Sequence, residues 1–579
     1  MYNTQKTMCG IFGFISKEKI FPDLVFDGLK EMEYRGYDSW GIALDTDKNI
    51  IIKKHLGKMS PLPDSLPKSS IVVGHTRWAT HGGITLENCH PHLDCKGKIA
   101  VVHNGIIENY TTIKQALIKK GHRFISDTDS EIIPHLIEEI GSFRPAFKKL
   151  QGLNAVAVIN HNSHELIVAK NGSPLVIGVG KNINYIASDP NPLFIHTNKF
   201  IFLEDGQIAI ITPDKVVVKN IYTNKIVKNN IKIIKNEIGD SSLNNYSSYL
   251  IKEISQQPEI IEKINKGYDL SALKKIYKLI KEFPQIYFTG CGTAYFAAQF
   301  NATLISQKIG KPIFCLPASE LSLYNNSFDK NTLIVSFSQS GETADLINLY
   351  NLSKSKGVTM VSICNMAYSS LHRLSKVCQI LPCGPEKCVL STKSFTAKIS
   401  IFMKLLDHDL APAIKAIKTI INDNPPTGGI SDLAKKLANQ QHIYLIGRGM
   451  SLPIAYESAL KIKEVSYIHA DAFAGAELKH GSIALIDKGT PCIVLAPSDD
   501  TYQDIISNAT EIKARGGYII GLSETDNPVF DYHIPIADCG IATSLPQVVS
   551  MQLLAYHLSQ IKGLDPDKPR NLAKSVTVK

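Results

Sequence analysis

Cys9 is the residue whose type and position most clearly suggest chemistry. It follows Met8 directly and starts an apolar run that extends to Ile15. A cysteine in this position is by itself typical of the buried start of a strand. If translation begins at Met8 and that methionine is removed, however, the thiol lies beside a free α-amine with an unperturbed pKa of about 7.7–8. Such an amine can accept the thiol proton, so the sequence suggests an amino-terminal nucleophile.

Polar residues farther along the chain offer binding groups for a substrate of this nucleophile. In the segment HTRWATHGG, Arg77 presents a forked donor for a carboxylate, and Thr80 and His81 provide further hydrogen bonds. Asp129, in the segment SDTDSE, is suited to receive an ammonium group. A carboxylate clamp together with an ammonium clamp describes an amino acid.

Two residues of the segment HNGII are candidates for stabilising the negative oxygen of a tetrahedral intermediate. The Asn104 side chain and the Gly105 backbone N–H are hydrogen-bond donors of the kind that form oxyanion holes. These two donors would stabilise the intermediate that forms when the cysteine attacks its substrate.

The second half of the chain contains a segment suited to a phosphate monoester. In SFSQSGETAD, four residues lie between an apolar strand and a predicted helix start, namely Ser338, Gln339, Ser340 and Thr343. Their hydroxyls and amide, with the backbone N–H groups of a helix N-terminus, favour phosphate. A helix cap rich in serine and threonine is the alternative. The corresponding segment at 497–501 is acidic, so only the first copy should hold phosphate.

Three charged residues of the segment ESALKIKE fall on one helical face. Glu457, Lys461 and Glu464 are spaced i, i+4 and i+7. A carboxylate on a rigid helix is suited to moving a proton between two carbon atoms. The alternative is an exposed face linked by salt bridges.

The pattern of elements that must position these residues changes along the chain. Short β-like runs dominate to about residue 235, which predicts an α+β sandwich, and a polar linker follows at 236–248. Strands then alternate with helices, which predicts parallel sheets with crossover helices. Three pairs of segments in this half match at offsets of 157 to 159 residues. We therefore expect a duplicated α/β domain, divided near 423–429.

Composition narrows the class of protein. Of the 579 residues, 44% are hydrophobic and 20% are charged, which is typical of folded globular protein. The net charge of +10 comes from dispersed lysines and arginines, so nothing indicates nucleic acid. Eleven cysteines without a CxxC pair favour a reducing compartment over a disulfide framework or a zinc ribbon. No apolar run is long enough to span a membrane, and the start of the chain reads as a strand rather than a signal peptide.

Taken together, these motifs resemble a known family. MCGIFG, YRGYDS, HTRWATHG, HNGIIEN and TDSE are similar to the glutaminase domain of class II glutamine amidotransferases. The repeated half resembles two sugar isomerase (SIS) domains, with SQSGETAD, STKSFT, ESALKIKEVSYIHA, ELKHG and PRNLAKSVTV as its sharpest motifs. The combination resembles, over nearly the whole chain, the amidotransferase family that makes glucosamine 6-phosphate.

The resemblance implies a fold, partners and a location. It implies an α+β four-layer amino-terminal-nucleophile domain followed by two α/β SIS domains with parallel sheets. It also implies a cytoplasmic homodimer that uses L-glutamine and D-fructose 6-phosphate, with no nucleic acid, membrane, metal or cofactor. The expected divisions are a leader or mis-assigned start at 1–8, the glutaminase domain at 9–235, a linker at 236–249, the first SIS domain with the sugar phosphate site at 250–423, the second SIS domain at 424–564 and a catalytic tail at 565–579.

The resemblance also implies roles for the residues of the first half. Cys9 would attack the side-chain amide of glutamine, form a glutamyl thioester and release ammonia, with Asn104 and Gly105 completing the catalytic set. Glutamine binding is assigned to Arg77, Trp78, Thr80, His81 and Asp129. Trp78 would in addition gate an apolar channel that carries ammonia to the sugar.

In the second half the resemblance implies Schiff-base chemistry. Lys574 would trap the open-chain ketose, His480 from the neighbouring subunit would open the ring, and Glu464 would move the proton between C1 and C2. Glu457 and Lys461 would support the site. Contacts to the sugar phosphate are assigned to Thr293, Ser338, Gln339, Ser340, Thr343, Val389 and Ser391.

The chain departs from the family pattern at four places, and other functions compete. Residues before Met8 would block the amine of Cys9 unless they are absent or removed, and Trp40, Ala294 and the segment 384–393 differ from the usual residues. The alternatives are a non-catalytic sugar-phosphate sensor, a deglycase that frees amines from sugar phosphates, and a glutaminase that serves another acceptor. A sensor would not need the isomerase residues, and a deglycase would not need Cys9.

Overall fold

The computed structural model divides the chain into two compact units, one within residues 9–234 and the other within 243–574. The structure describes residues 9–60, 66–79, 81–161, 163–234, 243–422, 429–572 and 574. The predicted leader, Thr80, most of the predicted linker and the predicted boundary between the repeats lie outside the described residues. In the described part of the chain, no helix combines the length and apolarity needed to cross a membrane.

The first unit is built from two antiparallel sheets and four helices. Its strands are β1 (Gly10–Ile20), β2 (Ser39–Asp45), β3 (Ile50–Leu56), β4 (Ser69–Arg77), β5 (His92–Leu93), β6 (Ile99–Gly105), β7 (Asn154–Asn160), β8 (Leu166–Asn171), β9 (Val176–Val179), β10 (Ile183–Ala187), β11 (Lys199–Phe202), β12 (Gln207–Ile211), β13 (Val216–Asn220) and β14 (Lys232–Ile233). Its helices are α1 (Asp23–Glu31), α2 (Tyr110–Lys119), α3 (Ile132–Ile140) and α4 (Phe143–Phe147).

These elements form four layers. One sheet has the order β14-β11-β9-β10-β1-β4-β2-β3 and the other the order β13-β12-β8-β7-β6-β5. Because side chains alternate along a strand, Ala100 and Val102 of β6 face the other sheet, while Val101 packs with α2, α3 and α4. Helix α1 packs on β1 and β4 from the opposite side. The predicted four-layer α+β fold is therefore confirmed.

Trp40, one of the departures from the family pattern, fits into this unit without leaving a gap. Its side chain is 1% exposed. The indole stacks on His55 with ring centroids 4.4 Å apart and meets the edge of Phe26 at 5.5 Å. Local packing has thus adapted to the large side chain.

The second unit alternates strands and helices. Its strands are β15 (Gln285–Gly290), β16 (Phe314–Pro317), β17 (Thr332–Ser338), β18 (Thr359–Cys364), β19 (Cys378–Ile380), β20 (His442–Gly447), β21 (His469–Ala474), β22 (Pro491–Leu495), β23 (Tyr518–Ser523) and β24 (Tyr532–Pro535). Its helices are α5 (Tyr249–Ser255), α6 (Gln257–Asn265), α7 (Ser271–Glu282), α8 (Thr293–Ile309), α9 (Ala318–Leu321), α10 (Ala344–Lys354), α11 (Ser370–Leu374), α12 (Lys393–Leu405), α13 (Ala411–Asn422), α14 (Ile430–Leu437), α15 (Ser451–Ser466), α16 (Tyr502–Lys513) and α17 (Ser544–Ile561).

The strands of this unit form two parallel sheets with the same topology. Their orders are β16-β15-β17-β18-β19 and β21-β20-β22-β23-β24. The three segment pairs that predicted the duplication correspond to β15 and β20, β17 and β22, and β18 and β23. The predicted α/β repeat is therefore confirmed. Helix α8 of the first repeat packs on α15 of the second, and one continuous apolar core includes both repeats.

Candidate active sites

In the first unit, Cys9 precedes β1 and is fixed by three neighbours. Its carbonyl oxygen accepts hydrogen bonds from Arg35 Nε at 3.2 Å and from Asn104 Nδ2 at 3.0 Å. Its sulfur lies 3.5 Å from the Trp78 backbone nitrogen. Burial raises the pKa of the Cys9 thiol to about 11, even though the Trp78 N–H, Arg77 and Arg35 act in the opposite direction. The thiol is therefore protonated at neutral pH and needs a base in order to react.

Asn104, at the end of β6, is held by two residues that the sequence analysis did not assign. Its Nδ2 also donates to Ser188 Oγ at 2.8 Å, and its Oδ1 lies 3.1 Å from His75 Nε2. Burial lowers the pKa of His75 to about 3, so its ring is neutral. Since Nε2 also lies 2.9 Å from the His103 carbonyl oxygen, it carries the proton and donates to both acceptors. The amide of Asn104 is thus locked beside the backbone of Cys9.

Gly105 occupies a position that only glycine can fill. Its φ is 134°, and a Cβ there would lie 1.8 Å from the Leu153 carbonyl oxygen. Asp129, which was expected to receive an ammonium group, is buried and accepts a hydrogen bond from the Ile107 N–H at 2.7 Å. Both residues therefore shape the turn that follows β6.

One cavity brings most of the predicted residues of this unit together. It is lined by Cys9, Arg77, Trp78, His81, His90, His103, Gly105, Thr128, Asp129 and Ser130. The Arg77 guanidinium also donates to the carbonyl oxygens of His81, Gly82 and Gly83 at 2.6, 3.2 and 3.0 Å. Arg77 therefore organises the loop beside the cavity as well as facing it.

In the second unit, the predicted phosphate segment forms a tight turn between β17 and α10. Ser338 Oγ accepts a hydrogen bond from the Gly341 N–H at 2.9 Å and lies 2.9 Å from Thr343 Oγ1. Ser340 Oγ accepts from the Glu342 N–H at 3.2 Å. Thr343 is the N-cap residue of α10, but its side chain makes no capping hydrogen bond. A simple cap therefore does not explain why this hydroxyl is directed into the turn.

The charged face of α15 is buried rather than exposed. Glu457 is 0% exposed and Lys461 is 1% exposed, so the salt-bridged surface face considered as the alternative is wrong for these two residues. Lys461 Nζ lies 2.6 Å from Glu464 Oε2, 3.5 Å from Glu457 Oε1 and 3.0 Å from Thr293 Oγ1. Thr293 Oγ1 in turn donates to Glu457 Oε1 at 3.2 Å. This cluster joins the start of α8 in the first repeat to α15 in the second.

The pKa values of the two buried residues of the cluster, Glu457 and Lys461, are raised for different reasons. Burial raises the pKa of Glu457 to about 7, with Lys461 opposing the rise. The pKa of Lys461 is raised as well, because Glu457 and Glu464 together outweigh its own burial. The lysine therefore stays charged and holds the more accessible Glu464 carboxylate in place.

Lys574 lies against the segment 384–393. Its Nζ is 3.0 Å from Glu386 Oε2, 3.0 Å from the Leu390 carbonyl oxygen and 3.4 Å from Ser391 Oγ. Glu386 is fully buried, and although burial opposes it, Lys574 and two further lysines lower its pKa to about 2. The sequence analysis missed Glu386, although it belongs to the segment recognised as unusual.

Backbone contacts fix the rest of this segment. The Val389 N–H donates to the Asp567 carbonyl oxygen at 3.1 Å, which joins the predicted binding residue to the tail. The Asp567 carboxylate accepts from the N–H groups of Tyr249 and Leu250 at 2.8 and 2.7 Å. The tail is thus fixed to both the loop and the first turn of α5.

His480 is the predicted residue that the structure does not bring into either group. It lies exposed at the end of a 3-10 turn, Glu477–His480. Within the described residues it forms no hydrogen bond or ion pair with another predicted site residue. Ala294, another departure from the family pattern, is buried in the first turn of α8 beside Thr293.

Comparisons with known proteins identify the family of both halves of the chain. The SIS domain family model matches residues 278–406 and 436–544, and the glutamine amidotransferase domain model matches residues 82–194. Isomerizing glutamine–fructose-6-phosphate aminotransferase of Pyrococcus horikoshii is 40% identical over 605 aligned residues, which cover 99% of this chain and 100% of the relative. The same enzyme of Aquifex aeolicus is 37% identical over 595 residues, with the same coverage.

One solved structure extends the comparison to the fold. The C-terminal domain of glucosamine-fructose-6-phosphate aminotransferase from Francisella tularensis is 32% identical, with a TM-score of 0.51. The match covers 57% of this chain and 100% of that chain. The similarity in fold to this structure is therefore accompanied by similarity in sequence.

The buried carboxyl of Glu457 predicts a dependence of stability on pH. Its pKa is raised from 4.5 to about 7 in the folded chain, so it favours folding below pH 4.5 and this contribution is lost as the pH rises through 7. Glu457→Gln removes the titration. The stability of this variant relative to wild type is therefore expected to rise by roughly 3 kcal/mol between pH 4.5 and pH 7.5.

Urea unfolding of the full chain over this pH range measures the difference. Both tryptophans lie in the first unit, so tryptophan fluorescence reports the unfolding of that unit. A change in circular dichroism that occurs without a change in tryptophan fluorescence therefore reports the unfolding of the second unit. Glu259→Gln, at an exposed glutamate of α6, is the control and should follow wild type. A constant difference between Glu457→Gln and wild type across the range would contradict the assignment.

Proposed function

This chain belongs to the family of isomerizing glutamine–fructose-6-phosphate aminotransferases, and from that premise we propose how its residues carry out the reaction. The chain is an aminotransferase that makes D-glucosamine 6-phosphate from D-fructose 6-phosphate with nitrogen from glutamine, the first step of amino-sugar synthesis. The similarity to curated relatives over the full length of both chains carries this assignment.

We propose that the Cys9 sulfur attacks the side-chain carbonyl carbon of glutamine. A thiol with a pKa of about 11 needs a base, and the α-amine of a mature chain that begins at Cys9 is suited to this role. The negative oxygen of the tetrahedral intermediate is then stabilised by Asn104 and the Gly105 N–H. Ammonia leaves as the carbon–nitrogen bond breaks, and water cleaves the resulting glutamyl thioester to glutamate.

The substrate-binding part of this proposal assigns the remaining residues around the cavity. Arg77, Thr80 and His81 bind the glutamine carboxylate, and Asp129 receives its ammonium group. The support is that the described members of this set line one cavity with Cys9. Trp78, whose backbone touches the Cys9 sulfur, is proposed to gate the passage of ammonia to the sugar.

In the second unit, the proposed reaction begins with phosphate binding in the turn that follows β17. The hydroxyls of Ser338, Ser340 and Thr343 and the Gln339 amide bind the phosphate, with Thr293, Val389 and Ser391 at the sugar. The Lys574 amine then adds to the C2 carbonyl of the open-chain ketose. Loss of water gives an imine. Ammonia then adds to C2 and the lysine amine leaves, which gives a new imine whose C1 proton is easier to remove.

Glu464 is proposed to move this proton from C1 to C2. Its side chain is 17% exposed, whereas Glu457 and Lys461 are buried, so Glu464 is the accessible carboxylate of the cluster. The 2.6 Å contact with Lys461 holds it in one position. Glu457 and Lys461 therefore act as positioning residues.

His480 is proposed to open the sugar ring in the site of a second subunit, which makes a homodimer the active unit. The support is that this histidine is exposed and has no contact with the other predicted residues of its own chain among those described. We also propose a cytoplasmic location, because none of the eleven cysteines, all of which lie among the described residues, forms a disulfide.

Two alternatives, a sugar-phosphate sensor and a deglycase, remain distinguishable from the proposal. A sensor would not need Lys574 in a buried contact with a carboxylate, and a deglycase would not need a nucleophile at Cys9. Activity with glutamine as the nitrogen source separates all three, because only the proposed enzyme consumes glutamine and produces glucosamine 6-phosphate.

Glutamine hydrolysis and glucosamine 6-phosphate synthesis should each be abolished by a different single substitution. Cys9→Ala is expected to abolish glutamine hydrolysis but to keep ammonia-dependent synthesis of glucosamine 6-phosphate. Lys574→Ala is expected to abolish synthesis from either nitrogen source but to keep glutamine hydrolysis. The rates of glutamate and glucosamine 6-phosphate formation are measured in parallel.

The matched controls are Cys539→Ala and Lys562→Ala, which replace a distant thiol and an exposed lysine near the tail. Both should behave as wild type. Synthesis by Lys574→Ala at the wild-type rate would overturn the Schiff-base proposal, and glutamine hydrolysis by Cys9→Ala would overturn the assignment of the nucleophile.

The proposed α-amine makes a prediction about the mature chain. Active protein from its native source should begin at Cys9, which intact-mass measurement and sequencing of the first residues will show. A chain made with Met1 to Met8 retained should lose glutamine hydrolysis and keep ammonia-dependent synthesis. Full glutaminase activity in a chain proven to retain these residues would contradict the prediction.

A further inference from the structure

Four side chains capable of binding a metal meet in the first unit, outside the cavity that contains Cys9. Cys95 lies in the turn between β5 and β6, His122 follows α2, and His135 and Glu138 lie one turn apart on α3. One potential ligand atom from each residue lies within 4.8 Å of all the others. Nothing in the proposed aminotransferase reaction uses this cluster.

The distances within the cluster match those between the ligands of a tetrahedral metal. Bonds of about 2.0–2.3 Å to zinc place neighbouring ligand atoms roughly 3.3–3.8 Å apart. The Cys95 sulfur lies 3.6 Å from His122 Nδ1 and 3.4 Å from His135 Nδ1. Glu138 Oε2 lies 3.5 and 3.9 Å from the same two nitrogens. These four distances are therefore close to those that a bound ion requires.

The outer nitrogens of both imidazoles face carboxylates. His122 Nε2 lies 3.3 Å from Glu139 Oε2, and His135 Nε2 lies 3.7 Å from Glu131 Oε1. A carboxylate beside one ring nitrogen favours the proton there and leaves a lone pair on the other. A carboxylate thus lies near the outer nitrogen of each imidazole while Nδ1 faces the cluster, and metal-binding histidines commonly have such carboxylate partners.

The Glu138 carboxylate is held in place within the cluster. Its Oε2 accepts a hydrogen bond from the Cys95 N–H at 3.0 Å, while Lys96 Nζ pairs with the other oxygen, Oε1, at 3.3 Å. Oε2 is thereby directed towards the same space as the two ring nitrogens and the sulfur. A cation bound by all four atoms would interact favourably with each of these donor atoms.

We propose that Cys95, His122, His135 and Glu138 bind one Zn²⁺ ion. A sulfur, two imidazole nitrogens and a carboxylate oxygen form a donor set that suits zinc in tetrahedral geometry. Cys95 binds as the thiolate, and its proton passes to solvent. Because four protein ligands fill the tetrahedron, the ion has a structural role and leaves no open position for a substrate.

The proposed ion would fasten elements that lead to the glutamine site. It joins the turn that precedes β6 to α3. Strand β6 ends at Asn104 and Gly105, and Asp129 lies three residues before α3 begins. Zinc binding would therefore stabilise the first unit and keep both walls of the cavity in place.

The sequence analysis missed this site because its ligands are not arranged in a short motif. The first three are separated by 27 and 13 residues, and only His135 and Glu138 show a helical spacing of three. No metal was expected, because the sequence shows no recognised metal-ligand spacing and the proposed proton transfer needs no metal. Folding of the β5–β6 turn against α3 is what brings Cys95 to the histidines.

The metal content of the full-length protein tests the proposal. Protein treated with a chelator, incubated with Zn²⁺ and dialysed should retain one zinc ion per chain by plasma mass spectrometry. Cys95→Ala and His122→Ala should retain almost none. Cys539→Ala, at a thiol of the second unit, should retain the wild-type amount. Cys9→Ala should also retain the wild-type amount of zinc, which would show that the metal site does not include the proposed nucleophile.

Two further measurements keep the test independent of how well the variants fold. Co²⁺ added to the chelated protein should give a thiolate-to-cobalt charge-transfer band that Cys95→Ala lacks and Cys9→Ala retains. Glu139→Gln keeps all four ligands and should bind zinc about 10–100-fold more weakly. Added Zn²⁺ should raise the melting temperature of wild type but not of Cys95→Ala.

Three outcomes would overturn the proposal. They are less than one retained zinc per wild-type chain, an equal zinc content in Cys95→Ala, and a cobalt spectrum without a thiolate band. Tighter retention of another divalent ion, such as Fe²⁺ or Mn²⁺, in direct competition with zinc would overturn the choice of metal.

Discussion

A buried lysine requires a compensating charge, and the pairing of Lys574 with Glu386 meets that requirement in the second unit. Glu386 Oε2 lies 3.0 Å from Lys574, while its Oε1 accepts from the Thr392 and Ser394 N–H groups at 2.9 and 3.1 Å. One carboxylate therefore holds the reactive amine and also stabilises the N-terminus of α12. The geometry of the loop, the tail and Ser391 depends on this single buried group.

In the first unit, too, buried polar groups fix the residue proposed to react. Cys9, like Lys574, lies outside the regular elements, where the backbone can approach its neighbours closely. Neutral, buried His75 orients the Asn104 amide, and Asn104 fixes the backbone of Cys9. In both units buried polar groups thus fix the proposed reactive residue, and burial or neighbouring charges set the protonation states of His75 and Glu386. Burying these polar groups costs desolvation free energy, which their hydrogen bonds to neighbouring groups offset.

Local patterns predicted the layers and the duplication, and they selected residues that the structure brings together around Cys9, because strand period, turn residues and motifs are encoded within short segments. Partners distant in sequence could not be predicted. Ser188 reaches Asn104 from beyond β10, Glu386 reaches Lys574 across 188 residues, and Thr293 meets the face of α15 only after the two repeats pack together. Their pairing follows from tertiary packing, which a single sequence does not display.

The central claim is that the nitrogen of the glutamine side chain becomes the amine of the sugar. Glutamine labelled with nitrogen-15 at its amide, supplied with fructose 6-phosphate and no added ammonium, is the direct test. The account predicts glucosamine 6-phosphate whose nitrogen is almost entirely labelled, as mass spectrometry of the product will show. Product without label, or glutamate formed without any glucosamine 6-phosphate, would contradict the account.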